Sequence, residues 1–176
     1  MAAKNKKSKT MIRKDIIDFL NASSGKIDPK SGKYSCGIIH KTCLVLATSA
    51  KDTPRATVLE FFNEGLTIYI LSEGGEKFKN IGENKNVALG IGTSGRTPLT
   101  VRGVNIWGVA EVFTDETPEF AHAVELFSSI IGSMEKETGG PLEIPKGLLR
   151  AIRVTPTKMV YHHNSKGIKN ARWTQK

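Results

Sequence analysis

Arg55, Ser72 and Lys77 are the side chains whose types and places best suit chemistry. Arg55 follows Pro54 and opens the run R-A-T-V-L-E-F-F. Ser72 closes the run L-T-I-Y-I-L-S, and Lys77 comes after Gly74-Gly75 at what reads as a helix start. Arginine offers a planar fork of donors and lysine a point charge. A helix start adds unpaired backbone N–H groups and the positive end of a dipole. The three could therefore converge on an anion such as a phosphate. Spacing alone leaves a plainer alternative open, in which Arg55 and Lys77 pair with Glu60, Glu76 or water.

Other chemistries find less support. The histidines are His40, His122, His162 and His163. His162 and His163 are neighbours, so in a strand they point to opposite faces and cannot share one metal ion. Cys36 and Cys43 lack the paired spacing of a zinc site. No metal site is expected. His122 reads as a solvated residue on the polar face of a helix. There is no G-x-S-x-G, no phosphate-binding P-loop and no H-E-x-x-H, so no catalytic residue is visible.

The elements that must position these residues read mostly as strands. Thr42–Ser49, Arg55–Phe62, Leu66–Ser72, Val87–Gly92, Thr100–Phe113 and Leu149–His162 carry the branched and aromatic residues of strands. Alternation along the second puts Arg55, Thr57 and Leu59 on one face and Ala56, Val58 and Glu60 on the other. Gly103 and Gly108 mark bulges or close backbone approaches. Pro156 predicts a bend in the last strand. Ile12, Ile16, Phe19 and Leu20 predict a helix over residues 11–21, and Phe78 with Ile81 another over Glu76–Asn84. A third helix starts with Thr117 as cap, Pro118 at the first position and Glu119 in the first turn. Its apolar stripe reads Phe120, Val124, Phe127, Ile131, Met134. Six strands with short early hairpins predict a small, mainly β, antiparallel barrel with peripheral helices.

The 176 residues suit one domain, with residues 1–10 as a flexible basic tail, 11–164 as the barrel and 165–176 as a basic C-terminal tail. Net charge is +9, and 14 of the 26 basic residues lie in residues 1–14 and 144–176, which hold no acid. Such ends would suit nucleic acid, but no recognition motif accompanies them, so nucleic acid is not the expected partner. The apolar runs are too short for a membrane span or a secretory signal core, and a cytoplasmic protein is expected.

Four stretches, taken in order, carry a resemblance. They are L-A-T-S-A-K-D-T-P-R-A-T-V-L-E-F; N-E-G-L-T-I-Y-I-L-S-E-G-G-E-K-F-K-N-I-G-E-N-K-N-V-A-L-G-I; V-N-I-W-G-V-A-E-V; and I-R-V-T-P-T-K-M-V-Y. Over about residues 40–163 the chain resembles the pyridoxamine 5′-phosphate oxidase-like, FMN-binding split-barrel family. The resemblance implies a six-stranded antiparallel split β-barrel and a homodimer with two flavin sites at the subunit interface. It implies an FMN-dependent oxidoreductase acting on a small molecule. By position, Arg55 and Lys77 would hold the FMN phosphate. The backbone of Arg55, Ala56, Thr57 and Val58 would line the isoalloxazine. Leu71 and Ser72 would flank the ribityl–phosphate end. Arg102, Asn105 and Trp107 would approach from the barrel wall or the partner subunit.

The chain also departs from that family. Where a basic pair would follow the glycine turn it has Glu76-Lys77, and Glu60 stands where a basic residue would close the strand. Arg102, Arg172 or the tail lysines are candidates to compensate. The C-terminal substrate motif is missing, since the chain ends A-R-W-T-Q-K, which argues against pyridoxal phosphate synthesis. Related folds resemble haem-binding and deazaflavin-binding proteins; for haem, His40, His162 or His163 could serve as an axial ligand. A non-enzymatic interaction module using its basic ends is the third reading.

Overall fold

The computed structural model describes residues 8–24, 26–27, 34–35, 42–93, 97–141 and 145–175. Cys36 and His40 lie outside these. Helix α1 spans Lys9–Ser23, with the Ser8 side chain accepting from the Met11 N–H as its cap. Two short strands, β1 (Lys26–Ile27) and β2 (Tyr34–Ser35), pair with each other. The main sheet is built from β3 (Thr42–Ala50), β4 (Thr53–Leu59), β5 (Phe62–Glu64), β6 (Thr67–Glu73), β7 (Asn86–Thr93), β8 (Arg102–Phe113), β9 (Leu149–His163) and β10 (Ile168–Thr174). Helix α2 (Glu76–Glu83) joins β6 to β7, and α3 (Pro118–Thr138) lies between β8 and β9.

The fold is mainly β and antiparallel, as expected, but the sheet has eight strands rather than six. Its order is β4-β3-β7-β8-β9-β6-β5, with β10 also on β9. Two sequence expectations change. The run Arg55–Phe62 is not one strand. It breaks at Glu60-Phe61: its residues to Leu59 stay in β4, while Phe62 opens β5 on the opposite edge of the open sheet. Phe61, between them, is buried at 3% exposure and plugs the core where the chain crosses. The supposed tail 165–176 contributes β10, because the far half of β9 has a free edge beyond the end of β6.

Local chemistry explains the joints. Lys51 and Asp52, both at positive φ, form the tight turn between β3 and β4. Pro54 sits in β4, an edge strand, where its missing N–H costs no ladder bond. The close approaches expected at glycine are present. A Cβ on Gly108 would lie 2.6 Å from the Thr155 carbonyl oxygen, and one on Gly103 would lie 2.8 Å from that of Ile91. The β8–β9 register shifts at Trp107/Gly108, opposite Pro156-Thr157-Lys158.

Inward rows of side chains, such as Leu46, Leu89, Ile106 and Met159, fill the barrel. α1 packs Ile16, Phe19 and Leu20 into the same core, near β10 and Tyr161. α2 packs Phe78 and Ile81 into it near β3. α3 covers the outer face of β6 and β9. It does so with Ala123, Phe127 and Ile130 rather than with Val124, Ile131 and Met134. The small Ala123 lets the helix sit down on Tyr69 and Ala151, which turns the stripe by one residue. Thr117 caps this helix through its side chain, as expected. Among the described residues, no helix is long and apolar enough to cross a membrane.

Candidate anion and cofactor site

Sheet register decides which of the candidate residues meet. Arg55 is the Cα partner of Thr48, and Thr57 of Leu46, so both belong to the inward set of β4. Ser72 pairs with Arg150, next to the buried pair Ile70–Ile152, so Ser72 and Arg150 belong to the inward set of β6 and β9. All four lie toward one end of the barrel, where α2 packs. Its Asn80 amide donates to the Thr48 hydroxyl at 3.1 Å, a buried bond that docks α2 beside β3.

This end is rich in cations. Lys77 is only 6% exposed. Its Nζ donates to the backbone carbonyls of Glu73 (2.9 Å) and Gly74 (2.7 Å), which leaves one of its three donors. Gly75 precedes α2 at φ +118, a conformation that suits glycine alone. Lys77 Nζ lies 4.7 Å from the centre of the Phe78 ring, and the Arg150 guanidinium lies 5.2 Å from that same centre. Burial, and then the Arg55 charge, push the Lys77 pKa down, while Glu73 opposes them. Among the described residues the ion pairs are Lys14–Asp18, His122–Glu64, Lys146–Glu116 and Arg153–Glu111, and none takes Arg55, Lys77 or Arg150. Three cations from three elements thus lie toward one mouth, a concentration of positive charge that attracts anions.

Most of the other candidates lie elsewhere in the fold. Ala56, Val58, Asn105 and Trp107 face away from the core. The row Ala56–Ala47–Ala88–Trp107–Lys158 crosses five strands, and Val58–Val45–Gly90–Asn105–Val160 lies beside it. This outer face is apolar and exposed, with Val58 at 58%, Trp107 at 39% and Val109 at 37%. Lys158 Nζ sits 3.8 Å from the centre of the Trp107 indole. Leu71 packs against the cluster under α3. Arg102 is at the opposite end of the barrel, over Phe19 of α1 at 5.7 Å, and is not brought to the mouth within this chain. Arg172 on β10 is the Cα partner of Val160 on β9, so neither arginine supplies a further phosphate cation at the mouth. Thr57 Oγ1 is buried without a hydrogen-bond partner among the described residues.

The histidines also resolve. His163 contacts the Tyr161 hydroxyl through Nδ1 (3.3 Å) and Ser165 Oγ through Nε2 (3.1 Å). His162, half-buried, lies against Gly103, where a Cβ would be 3.1 Å from its Cε1. His122 is not merely solvated. Its Nε2 is 2.9 Å from Glu64, and its ring meets Tyr69 edge-on at 5.5 Å.

Sequence reasoning missed Arg150. Its only signal is a cation at the start of a strand, and nothing local ties it to Ser72.

Comparison with known proteins agrees with this architecture. A family model described as pyridoxamine 5′-phosphate oxidase matches residues 33–163. General Stress Protein 26 from Bacillus anthracis is 16% identical, covering 92% of this chain and 98% of its own, with a TM-score of 0.58. A putative pyridoxamine 5′-phosphate oxidase from Listeria innocua is 18% identical, covering 85% and 97%, with a TM-score of 0.55. A heme binding protein from Mycobacterium smegmatis is 18% identical, covering 78% and 55%, with a TM-score of 0.57. None of the curated proteins matches.

Proposed function

This chain belongs to the pyridoxamine 5′-phosphate oxidase family, and from that premise we propose that it binds FMN as a homodimer and acts as an oxidoreductase on a small molecule. The observation that carries this reading is the gathering of Arg55, Ser72 and Lys77 at one barrel mouth. Arg55 presents a fork to phosphate oxygens and Lys77 its remaining N–H, and the Ser72 hydroxyl, which donates to the Glu73 carbonyl at 3.3 Å, would turn from it to the ligand. β4 is an edge strand, so half of its backbone N–H and C=O groups face away from β3 unpaired. Those between Arg55 and Val58 suit the polar rim of an isoalloxazine. Bound FMN would supply hydride or electron transfer, and the chain would supply orientation, charge and exclusion of water. The exposed apolar face with Ala56, Val58 and Trp107 suits a second copy, which would shelter the ring from solvent.

The test is a visible spectrum of the full-length protein titrated with FMN. Flavin bands with quenched fluorescence are expected, and Arg55→Ala or Lys77→Ala should each weaken binding about tenfold or more. A colourless protein that leaves FMN fluorescence unchanged overturns the reading.

His162 favours haem as the second reading. It is the described histidine that combines partial burial with no hydrogen-bond partner among the described residues, on a face flattened by Gly92 and Gly103. A Soret band on haem addition that survives His163→Ala and vanishes in His162→Ala would support it. No band overturns it.

A further inference from the structure

The mouth contains a cation that no family-based expectation assigns. Glu60 and Glu76 stand where that expectation puts basic residues, and the compensating charge comes from elsewhere in the fold. Arg150 is 73 positions beyond Lys77 in the chain, yet both sit over one face-forming residue, Phe78. Each lies within 5.2 Å of that ring centre. The two charges are therefore no more than about 10 Å apart. The ring offers each some attraction, but it does not cancel their mutual repulsion. Burial of Lys77 strengthens that repulsion by thinning the water between them. An anion between the two would reverse its sign. Two charge-assisted bonds of about 2.8 Å, one on either side of a phosphate, reach across a gap of this size.

Resting on the flavin reading above, we propose that Arg150 is a phosphate-binding residue of this site and makes the site select phosphorylated flavin over riboflavin. The Phe78 ring, 5.2 Å from the guanidinium, gives Arg150 an attractive surface beside the mouth before the ligand arrives. Register fixes the other side, because Arg150 is the Cα partner of Ser72. Lys77 is tied to the turn carbonyls and has one N–H to give, whereas the Arg150 fork has no described hydrogen bond or ion pair. Arg150 is exposed, so its replacement leaves the core intact.

The experiment compares FMN and riboflavin by fluorescence quenching in full-length wild type, Arg150→Gln and Arg150→Lys, with circular dichroism to confirm folding. Wild type should prefer FMN. Arg150→Gln should weaken FMN about tenfold or more while leaving riboflavin unchanged, and Arg150→Lys should restore part of the loss. An unchanged FMN-to-riboflavin ratio in Arg150→Gln, or an equal loss for both ligands, overturns the proposal. Inorganic phosphate gives a readout that needs no flavin. It should raise the melting temperature of wild type more than that of Arg150→Gln. If wild type binds no flavin but phosphate still separates the two proteins, the flavin reading fails and the anion site stands. If phosphate shifts both equally, Arg150 is not an anion-binding residue.

Discussion

At the scale of single residues, Lys77 carries a charge that its surroundings disfavour. Burial and Arg55 hold its pKa below the ordinary lysine value. In the window between that lowered value and the ordinary one, the unfolded chain keeps a proton that the folded chain has lost. Stability contributed by this group therefore rises with pH across the window, and the penalty is full below it. A bound phosphate does the opposite and favours the charged form. FMN affinity should consequently fall as pH climbs toward the ordinary lysine value, because the free site loses its Lys77 proton earlier than an unperturbed lysine would. Lys77→Met should bind more weakly at neutral pH and show a flatter profile. Fluorescence titration across that range checks both, and parallel profiles for the two proteins would remove Lys77 from the site.

At the scale of elements, the glycines of β7 and β8 separate two roles. A Cβ on Gly108 would strike the Thr155 carbonyl oxygen at 2.6 Å and Val154 Cγ1 at 2.9 Å, both held rigidly by β9. Gly108→Ala should cost about 1–3 kcal/mol, the usual range for overpacking. That is a drop of several degrees in melting temperature for a domain of this size. A Cβ on Gly90 would meet nothing within 4 Å. Within one subunit Gly90→Ala meets no clash, so it should lower the melting temperature far less than Gly108→Ala. Thermal melts of the two variants check this difference.

The same elements show what a sequence can carry. Gly103 and Gly108 were legible as close approaches because glycine amid branched residues has few other reasons to be there. That Arg55, Ser72 and Lys77 could meet was legible because the first opens a strand, the second closes one and the third starts a helix, and alternation fixes the face. The break between β4 and β5 was not. R-A-T-V-L-E-F-F has strand propensity throughout, and only the split of the sheet places its two ends on opposite edges. β10 was hidden by its charges, although Ala171 and Trp173, two apart, both pack on the core. Arg150 was hidden because its partner Ser72 is 78 positions away, and pairing across that distance is written in topology rather than in spacing.

At the scale of the whole molecule, one face of the sheet is unfinished. Ala47, Ala56, Val58, Trp107 and Val109 lie exposed on adjacent strands, and α3 covers only the β6–β9 side. A contiguous apolar face on a small domain marks an interaction surface. A face that spans five strands can match its own copy across a two-fold axis. Trp107 is the expected anchor, with its indole already held by Lys158 at 3.8 Å and so ordered before contact. The wild-type chain should therefore sediment at twice its chain mass. Trp107→Glu and Val58→Glu should sediment as monomers with unchanged circular dichroism, since neither side chain is part of the core. Because Ala56 and Val58 belong both to this face and to the strand that would line the flavin, the monomeric variants should also lose most of their FMN affinity. Analytical ultracentrifugation with and without FMN separates the possibilities. A wild-type monomer would refute the dimer, and a monomeric variant that still binds FMN tightly would place the ring wholly within one subunit.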